Sequence, residues 1–465
     1  MKDGFNALFN PESVVIIGAS TDPSKMGHQC VVSLKDKGFK GRVYPVNPGA
    51  EDILGIKAYP GLNSIPEKRI DMAIIVVPAP LILDVLEDCR KKGVKGAVVI
   101  TAGFKELGHE KGANLQREMK SVADRAGIKI IGPNTFGMVN AHSCLNASFS
   151  PYLSEIRRGG ITVISQSGGI AHVIVNQGIM ENIGFSKVIG LGNRCNVEYA
   201  DLLEYMAGDS DTDVILLYIE GIDDPRRFMS IAKEVALKKP IVACKVGKSS
   251  AAHKPAFSHT GSMSGRHDLY ESAFKQSNII FADDCEELLD IAKILCFSPA
   301  PESNRIAVLS FQAGPGIMIT DICATRGLDI PKFSGETQKI LDEALPPMTM
   351  RTNPVDLGFA RGWKVLESVI RAVLEDVNID ALVFFMLPHP VVPFEELLKG
   401  MIDLKKTYGK PIIMCINSHQ RDIQDVVNIF EENMIPVYGT PERTAKAMSG
   451  MVRYGKVIGD FAVDY

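Results

Sequence analysis

Ser258-His259-Thr260-Gly261-Ser262 sets a histidine among small, hydroxylated and glycine residues. An imidazole in such a loop is a candidate nucleophile toward a phosphoryl group. The preceding stretch, Lys245-Val246-Gly247-Lys248-Ser249-Ser250-Ala251-Ala252, is rich in Gly, Ala and Ser and carries two lysines. Such a segment can move, and it can bring backbone N–H groups and cations close to an anion. On spacing alone, a surface loop with an incidental histidine is the competing reading. Val246-Gly247-Lys248-Ser249 resembles the end of a P-loop, but that pattern needs a glycine where Val242 stands, so a Walker site is excluded.

Three further groups could act with it. Ser165-Gln166-Ser167-Gly168-Gly169 follows an apolar strand and opens a helix. Unpaired N–H groups and the helix dipole favour an anion there, though a plain serine N-cap accounts for the pattern equally well. Gly314-Pro315-Gly316 repeats the arrangement, with Pro315 suited to a first helical turn. Glu220 ends the apolar strand Val214–Ile219, where its carboxylate could accept the second N–H of an imidazole. The following Asp223-Asp224-Pro225 is the better helix cap, which leaves Glu220 available for another role. The first strand runs into Gly18-Ala19-Ser20-Thr21-Asp22-Pro23-Ser24-Lys25-Met26-Gly27. A glycine there admits a phosphate to the backbone, and Lys25 adds a positive charge. G-x-G-x-x-G is absent, and Pro45-Val46-Asn47-Pro48 lacks the acid that grips the ribose of NAD, so the expected ligand is nucleotide-like without being NAD. Val77-Pro78-Ala79-Pro80 and Ile100-Thr101-Ala102-Gly103 end on the same edge, and convergent strand ends make a cleft.

These groups need strands to carry them. Val14–Ile17, Ala73–Val77 and Ala97–Ile100 are short β-branched runs of the kind buried in parallel sheets, separated by helix-period segments at 81–92 and 113–126. The succession is βαβ throughout, and Ile128–Ile131 closes the first unit. A second unit opens at Ile161 and continues through strands near 185–190, 213–219 and 240–244. Phe297–Asn304, rich in Pro and Ser, breaks the chain before a third unit opens at Arg305. The expected domains are 1–133, 134–298 and 299–465. The expected fold is α/β, a Rossmann-like domain followed by two flavodoxin-like doubly wound domains.

Composition narrows the function. The chain has 465 residues, 46% hydrophobic and 23% charged, with a formal charge of −4 that offers no field for nucleic acid. Nine scattered cysteines form no C-x-x-C pair and fit a reducing cytoplasm. Pro78 and Pro80 break the most apolar stretch, Ala73–Leu83, which is too short for a bilayer. The N-terminus does not read as a signal peptide. No histidine pair has ligand spacing, and no metal site is expected. His28, His109, His142, His172, His267, His389 and His419 read as structural or solvated, with His253 a minor candidate in the loop.

Six segments together resemble the α-type subunit of NDP-forming acyl-CoA synthetases, relatives of succinyl-CoA synthetase. They are Gly18-Ala19-Ser20, Pro45-Val46-Asn47-Pro48, Gly132-Pro133-Asn134, Ser165–Gly169, Ser258–Ser262 and Asn353-Pro354-Val355-Asp356-Leu357, in the family's order across the whole chain. The resemblance implies that coenzyme A lies along Gly18, Ala19, Ser20, Pro23, Lys25, Gly27, Asn47, Val77, Pro78, Ala79, Pro80, Thr101, Ala102, Gly103 and Asn134. It makes His259 the phosphorylated histidine and Glu220 the carboxylate that positions it. It makes Ser165, Gln166, Ser167, Gly168 and Gly169, with Gly314 and Gly316, the phosphate cradle. It implies a separate ATP-grasp β subunit that binds ADP or ATP with magnesium, in a hetero-oligomer such as α2β2. Phe311, Gln312 and Ala313 stand where the family commonly carries a longer glycine run, and their side chains narrow the second cradle. Two other readings are a non-catalytic sensor of CoA or nucleotide, and a nucleotide-independent acyl-CoA transferase recruiting Glu220.

Overall fold

The computed structural model describes residues 2–35, 38–247, 267–358, 360, 362–387, 394–418 and 423–459. The chain forms two compact units, Met1–Cys285 and Glu286–Tyr465.

The first unit opens with β1 (Ser13–Ile17), β2 (Arg42–Val46), a small antiparallel pair of β3 (Asp52–Ile53) and β4 (Ile56–Lys57), then β5 (Met72–Ile75), β6 (Gly96–Val99) and β7 (Lys129–Ile131). The main sheet is parallel in the order β2-β1-β5-β6-β7. Every residue of β1, β5 and β6 is buried, which is why these strands read as unbroken apolar runs rather than alternating ones. Helices Ile82–Lys91 and Glu110–Ala126 supply Ile82, Leu86, Met119 and Ala123 to the core against Ala73, Ile75, Ala97 and Val99. The helix Glu110–Ala126 stops at Gly127, which takes the left-handed conformation a helix terminus favours, at φ 66°.

The same unit holds a second sheet: β8 (Gly137–Asn140), β9 (Leu145–Ser148), β10 (Arg158–Ser165), β11 (Phe185–Gly190), β12 (Val214–Ile219), β13 (Ile241–Lys245) and β14 (Ile280–Ala282), in the order β14-β13-β12-β10-β11-β8-β9. The hairpin β8–β9 joins β11 antiparallel, an extension with no apolar run to announce it in the sequence. Its buried polar groups bond to one another instead: Ser148 Oγ donates to Asn146 Oδ1 at 2.6 Å, and Asn146 Nδ2 donates to the Ser150 carbonyl at 3.1 Å.

In the second unit β15 (Ile306–Ser310), β16 (Val355–Asp356), β17 (Ala381–Met386), β18 (Ile412–Ile416) and β19 (Val437–Tyr438) form a parallel sheet ordered β16-β15-β17-β18-β19. Alternate residues of one strand enter opposite cores: Leu382, Phe384 and Met386 face one helical layer, Ala381, Val383 and Phe385 the other. The helix Cys285–Phe297 belongs largely to this unit. Its Lys293 donates to the Val437 carbonyl at 2.7 Å, and its Asp290 carbonyl accepts from the Tyr438 hydroxyl at 2.8 Å. The units therefore divide at 285/286, ahead of the Pro/Ser-rich break, which ends that helix.

Setting the hairpin aside, each of the three main sheets runs second, first, third, fourth, fifth in its own strand order. Strand direction of travel reverses between the first and third strands, and the loops leaving those two strands diverge to open a crevice. By strand order, the switch points fall at Gly18 and Val76, at Gln166 and Glu220, and at Phe311 and Leu387.

Candidate functional site

The turn after β1 is built around close approach. Gly18 takes φ 93°, and a Cβ on it would lie 2.5 Å from the Val76 carbonyl oxygen. A Cβ on Gly27 would lie 2.0 Å from the Gly18 oxygen, so the helix Met26–Lys35 can sit on this turn only with glycine at its second position. Ser20 accepts from Asp22 N at 3.1 Å, and Asp22 Oδ1 accepts from the backbone and hydroxyl of Ser24 at 2.9 and 2.7 Å. His28 Nδ1 bonds the Ser20 carbonyl at 3.0 Å. Asn47 spans the gap between the ends of β1 and β2, donating to the Ala19 carbonyl at 2.8 Å and accepting from Gly49 N at 2.8 Å. Thr101 Oγ1 donates to the Val77 carbonyl at 2.6 Å, and Gly103 N donates to Glu106 at 2.6 Å. Much of the expected CoA set therefore shapes its own loops.

The second sheet supplies the opposite wall. Ser165 Oγ donates to the Ser167 carbonyl at 2.7 Å, and Ser167 caps the helix Gly168–Met180 by accepting from Ile170 N at 3.4 Å. Ser310 makes the matching bond to the Gln312 carbonyl at 2.5 Å, so the two turns share one local geometry. Gln312 places no side-chain cap on its helix. Gln166 Oε1 accepts from Glu220 N at 3.2 Å and Gly221 N at 3.1 Å, which ties the end of β10 to the end of β12. Glu220 is held there, 8% exposed. Its chain neighbour Ile219 pairs across β12–β13 with Lys245, whose ammonium pKa is pulled down by burial, with the Glu220 carboxylate acting against that shift. Asp224 does cap the next helix, accepting from Arg227 N at 3.0 Å with Pro225 at the first position, as the sequence led us to expect.

These walls enclose one cleft of about 540 Å³. Of the expected residues it gathers Val77, Thr101, Ala102, Asn134, Gln166, Ser167, Gly168, Gly169 and Glu220. The turn after β1 reaches it only through Met26. Gly18, Ala19, Ser20, Pro23, Lys25, Gly27, Asn47, Pro78, Ala79, Pro80, Gly103 and Ser165 do not line it. A Cβ on Gly169 would meet only Ser167 Oγ, at 4.0 Å, so the helix start faces open space where an anion can reach backbone N–H groups.

Phe136, Phe149, His172, Gly192 and Asn193 also line the cleft and were not among the expected residues. His172 Nδ1 bonds the Gly168 carbonyl at 2.7 Å and Nε2 bonds Ser150 Oγ at 3.0 Å, with the Phe136 ring 4.8 Å away. Asn193 is the pin between the two halves. Its backbone N donates to the Pro133 carbonyl at 2.9 Å, its Nδ2 to Gln116 at 3.1 Å and to Glu106 at 2.5 Å, and its Oδ1 accepts from Asn134 at 3.3 Å. These contacts join residues 59 to 87 positions apart, and no local pattern signals them.

Gly314 and Gly316 lie in the second unit, at the start of the helix Ala313–Thr325. Gly314 has no heavy atom within 4 Å of an added Cβ, whereas Gly316 would meet Ser310 Cβ at 3.1 Å. The Phe311 ring leans on Phe384, centroids 5.6 Å apart. His259 and the loop around it, 248–266, lie outside the described residues, as does His253.

Comparison with known proteins matches a CoA binding domain to residues 12–141, a succinyl-CoA ligase like flavodoxin domain to 158–295 and a ligase-CoA domain to 306–456. The α subunit of ADP-forming acetate–CoA ligase II from Pyrococcus furiosus is 39% identical over 459 residues, covering 97% of this chain and 98% of that one. ADP-forming acetate–CoA ligase I from Archaeoglobus fulgidus is 40% identical over 97% of this chain, which spans 64% of that longer protein. The solved structure of dinucleotide forming acetyl-coenzyme A synthetase 1 from Ca. Korarchaeum cryptofilum, in complex with phosphate and ADP, superposes with a TM-score of 0.90 at 36% identity, over 98% of both chains.

Proposed function

The chain belongs to the family of NDP-forming acyl-CoA synthetases, and on that premise we propose that it works as their α-type subunit, interconverting acyl-CoA, ADP and phosphate with carboxylic acid, CoA and ATP. The observation that carries this reading is the single cleft. It brings the strand ends of the CoA-domain sheet, the start of the helix Gly168–Met180 and the buried Glu220 to one space. The open face of Gly169 fits an anion, and the walls at Val77, Thr101, Ala102 and Asn134 fit the arm of a thioester.

Bound phosphate attacks the thioester carbonyl, the C–S bond breaks, and an acyl phosphate and CoA form. The imidazole of His259 then attacks phosphorus, the P–O bond to the acyl group breaks, and the carboxylate leaves. Glu220 accepts the other imidazole N–H and offsets the positive charge the ring acquires. N–H groups at the helix start offset the phosphoryl charge, an interaction worth roughly 0.3–2 kcal/mol. Lys25 and the Gly18–Ser20 turn lie outside the cleft lining and would meet the phosphates of CoA. Gly314 and Gly316 would offer a second phosphate cradle in the domain expected over 299–465, after those over 1–133 and 134–298. The loop at 246–264 carries the phosphoryl group to ADP and magnesium on an ATP-grasp β subunit, in an assembly such as α2β2. None of the nine cysteines is in a disulfide, which fits the reducing interior expected of a cytoplasmic enzyme. No described helix is long and apolar enough to cross a membrane.

The test is labelling of this chain by radioactive ATP and magnesium in complex with its ATP-grasp partner. Wild type should take an acid-labile, base-stable label that His259→Ala lacks, and Glu220→Gln should take it at least about tenfold more slowly. An unlabelled wild type that still binds CoA would mean a sensor, and CoA exchange without ADP or phosphate would mean a transferase.

A further inference from the structure

Resting on that reading, we propose that the side-chain amide of Gln166 is a catalytic hydrogen-bond donor to the oxyanion formed on the thioester carbonyl, while the same amide's oxygen holds the 220–221 backbone in place. Gln166 Oε1 accepts from two backbone donors, Glu220 N at 3.2 Å and Gly221 N at 3.1 Å. Only an oxygen can take two N–H groups, so the amide's orientation is settled by its partners. Its NH2 is thereby turned away from 220–221. Gln166 is 6% exposed and lines the cleft. No described residue accepts from its Nε2, and that nitrogen is not among the sealed, unpartnered polar atoms of the interior. The donor therefore opens on the cleft itself. A nearly buried N–H without a partner is costly, and a site that keeps one is set for a ligand oxygen.

The mount is rigid. Gln166 N donates to the Tyr218 carbonyl at 3.2 Å, so main chain and side chain both bridge β10 and β12 at the crevice between them. A donor fixed in this way needs no reorganisation when charge develops, which is the condition for effective oxyanion stabilisation. The division of labour follows from position. N–H groups from the start of the helix Gly168–Met180 are available to the phosphoryl oxygens. Gln166 precedes the cap Ser167 and shares the cleft with Thr101, Ala102 and Asn134, the wall assigned to the thioester. As a phosphate oxygen bonds to the carbonyl carbon, the carbonyl π pair moves onto oxygen and meets the Nε2–H. The pair then returns, the C–S bond breaks, and CoA leaves as thiolate and takes up the proton released by the phosphate.

The experiment uses the full complex with its ATP-grasp partner and two separate readouts. One is labelling of His259 by ATP. The other is single-turnover release of CoA, without ADP, from whichever of acetyl-CoA and butyryl-CoA wild type cleaves faster with phosphate. Gln166→Glu keeps the acceptor for 220–221 but lacks the donor near neutral pH. Its CoA release should fall about 10²–10³-fold, the effect of removing one oxyanion donor. Part of the loss should return as pH is lowered and the carboxyl regains an O–H, with CoA binding kept throughout. CoA release within threefold of wild type, or an equal loss in both readouts with no recovery at low pH, would overturn the donor role and leave Gln166 as a clamp for Glu220. If Gln166→Glu does not fold, neutral Gln166→Met replaces it. A greater loss in CoA release than in labelling supports the proposal, and equal losses overturn it. Wild type that takes no label would instead sink the synthetase reading, a result separable from either.

Discussion

Gly27→Ala tests whether the first turn depends on helix-to-strand contact. The added Cβ would stand 2.0 Å from the Gly18 carbonyl oxygen, 2.9 Å from its carbon and 3.2 Å from Ala19 Cα. Carbon-to-oxygen contacts settle near 3.3 Å or beyond, so the helix Met26–Lys35 must retreat by about 1.3 Å. That helix buries Cys30, Val31 and Leu34 almost completely. A gap of roughly 0.5–1 Å already forfeits a quarter to a half of the dispersion attraction at each contact. The expected cost is that of an overpacked core, about 1–3 kcal/mol. For a unit of this size that lowers Tm by roughly 2–12 °C. Met26 lines the cleft, so CoA binding should weaken as well, by about tenfold if 1.4 kcal/mol of the strain bears on the bound state. Thermal melts with and without CoA, and CoA titration, read both effects. Gly61→Ala is the control, since nothing lies within 4 Å of a Cβ there. Unchanged Tm and CoA affinity in Gly27→Ala would refute the packing argument.

Two further perturbations test electrostatics away from the cleft. Asp290, 1% exposed, accepts from Arg443 Nε and Nη2 at 2.8 and 2.6 Å, and Asp290→Asn should destabilise the second unit by about 1–3 kcal/mol, less than a fully buried pair because Arg443 keeps 18% exposure; an unchanged urea midpoint for that unit would refute it. Burial raises the Glu198 carboxyl from 4.5 to about 7 against the opposing pull of Arg194. Folded protein then holds this proton more tightly than unfolded chain, so its stabilisation is full below pH 4.5 and is lost as pH rises through about 7. Wild type should lose Tm relative to Glu198→Gln between pH 5 and 8, and parallel curves would rule the shift out.

The strand-and-helix succession was legible because buried parallel strands write themselves as apolar runs, and the helix cap at Asp224 because capping is a matter of neighbours. The fold class and the family followed from motifs of the same local kind. Glycine meaning was less legible. Gly27 stands in the turn expected to lie along CoA, and the space a Cβ would need there is taken by the Gly18 backbone. Sequence shows that a position needs no side chain, but not whether backbone or ligand occupies the space.

What the sequence alone determined is the set of elements and the turns that end them, since period, capping and turn chemistry act over a few residues. Tertiary structure decided which turns meet. The Gln166 clamp on Glu220 spans 54 residues and the Asn193 pin on Glu106 spans 87. The hairpin β8–β9 delivers Phe136 and Phe149 to a cleft that no periodicity foretold. The helix Cys285–Phe297 joins the second unit through Asp290 and Lys293, although the composition break lies after it. Such contacts depend on complementary shape and charge at long separation, and a chain read residue by residue carries their ingredients without their pairing.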